Sequence, residues 1–127
     1  MNEAAWKAHH YDRCFAWIEA ALEECPIRTH EMGHVWEAIR DGGAQIWPGD
    51  NSVVVTVISD HPTGIKTVCC WLGGGEINEI REIVDTISVW ANRQGASHLT
   101  IQGRKGWSRA LGGWKAASAL SYKEVNP

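Results

Sequence analysis

Residues 64–103 read "GIKTVCCWLGGGEINEIREIVDTISVWANRQGASHLTIQG", and the hydrophobic period changes twice along them. From Gly64 to Leu72 the run is dense in β-branched and apolar side chains, which suits a buried strand. Gly73, Gly74 and Gly75 then break it. Between Glu76 and Arg93, the residues Ile77, Ile80, Val84, Ile87, Trp90 and Ala91 return every three or four positions. That spacing predicts an amphipathic helix, stopped by Gly95. "SHLTIQG" (97–103) reverts to strand, with Leu99 and Ile101 on one face. Strand, helix and strand in succession form a crossover whose right-handed course makes the two strands parallel neighbours.

Upstream, "SVVVTVI" (52–58) is a second β-branched run, and "SDHPTG" joins it to the first as turn chemistry. The two runs are therefore expected to pair as an antiparallel hairpin. "AQIW" (44–47) reads as a short strand ahead of the "PGDN" turn. Two helices precede it. In the first, from Glu3 to about Glu24, Cys14, Trp17, Ile18, Ala21, Leu22 and Cys25 form one apolar stripe that Pro26 ends. The second, about 30–41, takes Thr29 as its N-cap and "RDGG" (40–43) as its stop. It buries Met32, Val35, Trp36 and Ile39. Downstream, "RKGWSRALGGW" (104–114) holds one or two helical turns and "AASALSYKEV" (116–125) a last strand. The order α-α-β-β-β-α-β-α-β gives a mixed α/β (α+β) domain with a partly antiparallel central sheet.

The 127 residues and 14.1 kDa bound this to one domain, residues 1–127, with a single core. No window approaches the ~18 uninterrupted apolar residues of a membrane span, and "MNEAAWKAHH" lacks the plan of a signal peptide. The expectation is a soluble cytoplasmic protein. Cys14, Cys25, Cys69 and Cys70 form no C-x-x-C pair and read as reduced core thiols. Net charge is −3, but residues 86–127 carry six Lys and Arg against the single Glu124. Such a tilt can steer an anionic partner. Most of the eight tryptophans are expected in the core, and any left on the surface would mark a protein contact.

Several of these strings are familiar. From about residue 31 to 125 the chain resembles the GNAT (Gcn5-related N-acetyltransferase) fold. "ANRQGASHLTIQG" looks like that fold's passage from its main helix into its fifth strand, and "RALGGWKAAS" like the turn after its last helix. More narrowly, "VWEAIRDGGAQIW", "CCWLGGGEINEI" and "QGRKGWSRAL" look like small GNAT-like proteins encoded by tailed bacteriophages and prophages. The resemblance implies a central sheet with a strand-helix-strand crossover behind two N-terminal helices. It also implies an acetyl-CoA pyrophosphate held at the start of the main helix by Gln/Arg-x-x-Gly-x-Gly/Ala. This chain departs there. In "WLGGGEINEIRE", Gly73, Gly74 and Gly75 are the cofactor-binding candidates, but no basic residue precedes the helix. Glu76, Glu79 and Glu82 fill its first two turns instead. Carboxylates stabilise a helix start and repel a pyrophosphate.

Two other strings compete for a chemical reading. "THEMGHVWE" (29–37) contains His-Glu-x-x-His. If His30 and His34 shared one helical face, they could bind zinc with Glu37 as third ligand, Glu31 polarising the bound water as in a zinc hydrolase. The helix is short, however, and its apolar residues must face the core. "GRKGWSRALGGWK" (103–115) interleaves Arg104, Lys105 and Arg109 with Trp107 and Trp114, which suits a protein-interface anchor or nucleic-acid stacking. His9-His10, Asp60-His61 and Ser108 have no spacing that requires a triad.

The expectation from sequence is a non-catalytic GNAT-like phage or prophage protein with no catalytic residues, metal or cofactor. It would act in host cytoplasm or virion through contacts with other structural or assembly proteins, in multiple copies. Nucleic acid is a further partner of the basic C-terminal third, and no membrane is involved. The alternatives are an acetyl-CoA-dependent N-acetyltransferase with a degenerate pyrophosphate loop, and the zinc hydrolase.

Overall fold

The computed structural model describes residues 11–102, 110–115, 121 and 123–125. The β-branched run of the hairpin becomes β2 (Ser52–Asp60), paired antiparallel with β3 (Lys66–Gly75). Their turn closes where the His61 amide donates to the Ile65 carbonyl at 2.9 Å, with Gly64 at φ 88°. β1 (Gln45–Pro48) adds antiparallel on the far side of β2. β4 (His98–Ile101) adds parallel to β3, giving the sheet order β1-β2-β3-β4. The helices are α1 (Asp12–Glu23), α2 (Met32–Arg40) and α3 (Ile77–Arg93), so the crossover unit is β3-α3-β4 as its periodicity predicts.

Both sheet faces are covered. Cys14, Ile18 and Leu22 of α1 and Met32, Val35 and Trp36 of α2 pack on Val53, Val55 and Leu72. On the other face Ile80, Val84, Ile87 and Ala91 of α3 pack on Val54, Val68 and Cys70. Alternation along β2 sends Val53 and Val55 one way and Val54 the other, which is why its five-residue run from Ser52 to Thr56 is buried throughout. Each fully buried isoleucine (Ile18, Ile80, Ile87) stabilises the fold by roughly 1.5–3 kcal/mol relative to exposure.

A bulge interrupts the alternation in β3. Val55 lies opposite Leu72 and Thr56 opposite Cys70, so Trp71 is the extra residue. Trp71 and Leu72 consequently both pack toward α1 and α2, while Val68 and Cys70 face α3.

Three expectations are corrected. Gly73, Gly74 and Gly75 do not end the strand; they extend β3 opposite Val54, Val53 and Ser52. Missing side chains serve packing here. A Cβ on Gly74 would lie 3.1 Å from the Trp17 Cβ, and one on Gly75, at φ 108°, would lie 2.2 Å from the Asn51 carbonyl oxygen. The second helix starts at Met32 with Glu31 as N-cap in place of Thr29, whose hydroxyl is engaged with His30 Nδ1 at 2.7 Å. Of the strand expected at 116–125, Ser121 and Lys123–Val125 are described and are not in a strand. Residues 1–10, 103–109 and the rest of 116–127 lie outside the described residues, and Ala110 and Leu111 are helical.

Candidate functional site

The corner where β3 hands over to α3 is the place to look for an anion site, since a helix start presents unpaired amides and a partial positive charge. Here three of those amides, of Glu76, Asn78 and Glu79, are taken. Glu76 is the N-cap of α3, and its carboxylate accepts the Asn78 N–H at 2.9 Å and the Glu79 N–H at 2.8 Å. The Glu76 amide itself donates to the Asn51 carbonyl at 2.9 Å.

Glu79 faces the other way and fastens the β1–β2 turn to the same corner. Its Oε1 accepts the Asn51 N–H at 2.9 Å and the hydroxyl of fully buried Ser52. The Ser52 hydroxyl, then the Asn51 amide, and with them the charge of Arg13, hold the Glu79 carboxyl below the usual carboxylate range. Gly49 sits against this carboxylate so closely that a Cβ there would lie 2.0 Å from Oε1. Arg13 of α1 closes the far side by donating Nε to the Gly49 carbonyl at 3.0 Å. Glu82 is exposed one turn on. Arg81 donates to Asn78 Oδ1 at 3.1 Å and to the Ala110 carbonyl, tying α3 to residues 110–115.

The three candidate glycines present no open phosphate loop. Gly73 and Gly74 are buried in the sheet, Gly74 under Trp17, and Gly75 alone is exposed. Sequence reasoning found the carboxylates through their position in the helix. It missed Asn51, Ser52, Gly49 and Arg13, because nothing in the "PGDNS" turn announces a partner some 28 residues away.

The His-Glu-x-x-His string folds differently from a zinc-binding helix. His30 precedes α2, so it shares no helical face with His34. The two rings lie 6.2 Å apart at 85°, and His30 rests edge-on against Trp71 at 4.8 Å. His34 Nδ1 accepts the Glu31 N–H at 2.9 Å, and the Glu31 carboxylate pairs with Arg28 at 2.9 Å. Glu37 is exposed. Among the described residues no three His, Cys, Asp or Glu side chains are grouped to hold a metal.

The remaining candidates separate. Trp114 is half-buried and packs with Leu111 against the α3 side of the core, whereas Arg104, Lys105, Trp107 and Arg109 lie outside the described residues. So do His9, His10 and Ser108. His61 Nε2 is engaged with the Thr67 hydroxyl at 2.9 Å. All four cysteines are free thiols. Burial, with a smaller push from Cys69, raises Cys70 to about 12, and burial raises Cys14 and Cys69 as well, so these three are poor nucleophiles. No helix among the described residues is long and apolar enough to cross a membrane.

No protein-family model matches the chain, and no curated protein sequence does. Solved structures do match. A probable acetyltransferase superposes with a TM-score of 0.66 at 8% identity, over 94% of this chain and 93% of its own. The ribosomal-protein-alanine N-acetyltransferase of Brucella melitensis biovar Abortus 2308 superposes with a TM-score of 0.60 at 12% identity, over 99% of this chain and 95% of its own. At identities this low the likeness is one of fold, and the fold is that of the GNAT acetyltransferases.

Proposed function

We propose that this chain is a GNAT-fold domain that works by protein association and not by acetyl transfer. One observation carries the reading: Glu76 occupies the first-turn amides of α3 with its own carboxylate. A pyrophosphate arriving there would lose those donors and meet the charge of Glu79 beside them. The three strings that resemble small tailed-phage proteins support a virion-associated or assembly role, in several copies, in host cytoplasm or virion.

Calorimetric titration of the full chain with acetyl-CoA tests this. The expected result is no saturable heat up to about 1 mM ligand. Micromolar binding would overturn the reading.

A second reading keeps the activity. Among the described residues, parallel pairing of β3 with β4 stops at Cys70 and Ile101, while β3 runs on to Gly75. A strand that outruns its neighbour in a fold shared with acetyltransferases favours an acetyl-CoA-dependent N-acetyltransferase with an altered corner. Acetyl-CoA binding together with acetylation of amine-bearing peptides would establish it. Binding without turnover would leave an inert acetyl-CoA sensor and sink both readings.

A further inference from the structure

The turn from α2 into β1 takes no part in the corner at the start of α3, and it sets a carboxyl group beside a backbone amide with little to restrain either. Asp41 is the C-cap of α2, and Asp41, Gly42 and Gly43 are all exposed. The Gly42 N–H reaches the Ile39 carbonyl at 3.3 Å, a looser contact than its neighbours, Asp41 to Glu37 at 2.9 Å and Ala44 to Ala38 at 3.0 Å. Gly42 stands at φ 83° with nothing within 4 Å of an added Cβ, so this peptide can turn without meeting a neighbour. Arg40 Nε donates to Asp41 Oδ1 at 3.0 Å, but both side chains are more than half exposed, and an exposed pair restrains little.

We infer that Asp41–Gly42 is a site of covalent self-modification, where the chain closes to a succinimide and reopens as isoaspartate. The Gly42 nitrogen attacks Asp41 Cγ and forms a C–N bond, while the carboxyl hydroxyl leaves with the amide proton as water. Water then adds back to the ring. Opening at Cγ restores aspartate, and opening at the Asp41 backbone carbonyl carbon leaves the chain running through Cβ and Cγ. Nothing is oxidised or reduced, and water is the only co-reactant. The product has one more backbone carbon between α2 and β1, and its free carboxylate lies at a helix C-terminus whose partial negative charge opposes it. The last turn of α2 is loosened as a result.

Elsewhere in residues 11–102 the fold restrains the same chemistry. Asp12, Asn78, Asp85 and Asn92 lie in helices. After Asp50 the next amide, that of Asn51, is bound by Glu79 at 2.9 Å, and after Asp60 the His61 amide is bound by the Ile65 carbonyl at 2.9 Å. Asn51–Ser52 is the most reactive pair chemically, because a neutral carboxamide is a better electrophile than an ionised carboxyl group and serine hinders attack little. It is pinned on both sides. Glu79 holds the Asn51 N–H, the Glu76 amide donates to the Asn51 carbonyl, the Gly49 amide donates to the Ser52 carbonyl at 2.8 Å, and Ser52 is fully buried. Ring closure there has to open the corner first, whereas at Asp41 it has to open only an exposed turn.

The experiment incubates the full chain in neutral buffer at physiological temperature for several weeks, folded and in concentrated urea, and maps isoaspartate by peptide digestion and fragmentation mass spectrometry. In the folded chain, isoaspartate at Asp41 exceeds that at any other Asp or Asn of residues 11–102 by about tenfold or more, since local opening costs least in an exposed turn. In urea the order reverses, and Asn51 reacts first. Asp41→Glu lengthens the side chain by one methylene, so closure would need a six-membered ring, and the signal from this turn disappears. Absence of isoaspartate at Asp41 in the folded chain overturns the inference. The same order of sites in folded and unfolded chain also overturns it, as does a signal from this turn that survives in Asp41→Glu.

Discussion

Glu79 accepts the backbone N–H of Asn51 at 2.9 Å, which joins the first turn of α3 to the turn between β1 and β2. The same oxygen takes the hydroxyl of Ser52, a residue with no exposed surface. Replacing Glu79 by alanine leaves that hydroxyl without its acceptor, and the melting temperature falls. Glu79→Gln, which keeps an oxygen in place, costs less. The acid limb of the stability curve separates charge from shape. Because the folded carboxyl sits below its ordinary range, its contribution is present above the ordinary glutamate value and is lost as pH falls through the folded one. Wild type therefore loses stability on acidification below about pH 4 more steeply than Glu79→Gln does. Chemical denaturation at a series of pH values measures both slopes.

The corner carboxylates also make a prediction about anions. Glu76→Ser keeps an N-cap acceptor without charge, and Glu79→Gln removes the second charge. The double variant is expected to bind inorganic pyrophosphate about tenfold or more tightly than the wild type at low salt, with the gain shrinking as salt rises. NMR shift titration of the Asn78 and Glu79 amides reads it directly. An unchanged affinity would mean that these charges do not exclude the anion.

Glycines in this chain serve different ends, and alanine substitutions distinguish them. At Gly42 the backbone is left-handed at φ 83° and nothing lies within 4 Å of an added Cβ, so alanine costs only the conformational term of about 1–2 kcal/mol. At Gly75 the same term is joined by a collision at 2.2 Å with the Asn51 carbonyl, which is backbone and cannot swing away. Gly75→Ala is therefore several-fold more costly than Gly42→Ala, or unfolds the chain. Urea midpoints of the two variants decide the order.

Most of this fold was legible because its elements are periodic. The stripe through Ile80, Val84, Ile87 and Ala91 gave α3, and the β-branched run at 52–58 gave β2, since burial on one or two faces writes itself into residue spacing. Glycine read as a helix stop held at Gly42 and Gly95, which lie at φ 83° and 82° just past their helices, but glycine read as a strand breaker failed. Gly73, Gly74 and Gly75 carry no periodic signal, and their place in β3 follows from Trp17 of α1 packing down on the sheet, a contact between residues 57 positions apart. The corner was half legible for the same reason. Glu76 caps its own helix, a local act that position alone reveals, whereas Glu79 binds a turn that only the folded chain brings near.

The two-faced core predicts additivity. Ile18 and Ile87 are both fully buried, but they belong to clusters on opposite sides of the sheet. Each change to alanine is expected to cost roughly 2–5 kcal/mol through lost burial and the cavity left behind. With a sheet between them and no shared partner, the double variant should lose the sum within about 0.5 kcal/mol. A denaturant-based double-mutant cycle measures this. Because the summed loss can approach the whole stability of a domain this size, Ile18→Val with Ile87→Val is the gentler pair for the same cycle.

Thr56 is buried in β2, and its hydroxyl joins the two neighbours that decide the register of β1. It accepts the indole N–H of Trp47 at 3.0 Å and donates to Gln45 Oε1 at 2.9 Å. Trp47 in turn stands edge-on to Trp90 of α3 at 5.2 Å, so one hydroxyl positions the contact between the edge strand and the helix. Thr56→Val keeps the shape and removes both hydrogen bonds, leaving the half-buried indole N–H and the glutamine oxygen to find water. The expected cost is about 1–3 kcal/mol, accompanied by faster exchange of the β1 amides, since β1 has no other strand than β2 to hold it among the described residues. Thr56→Ser retains the hydroxyl and should preserve β1 protection even if the lost methyl lowers overall stability. Equal β1 exchange in the valine and serine variants would show that packing, and not this hydroxyl, sets the strand in place.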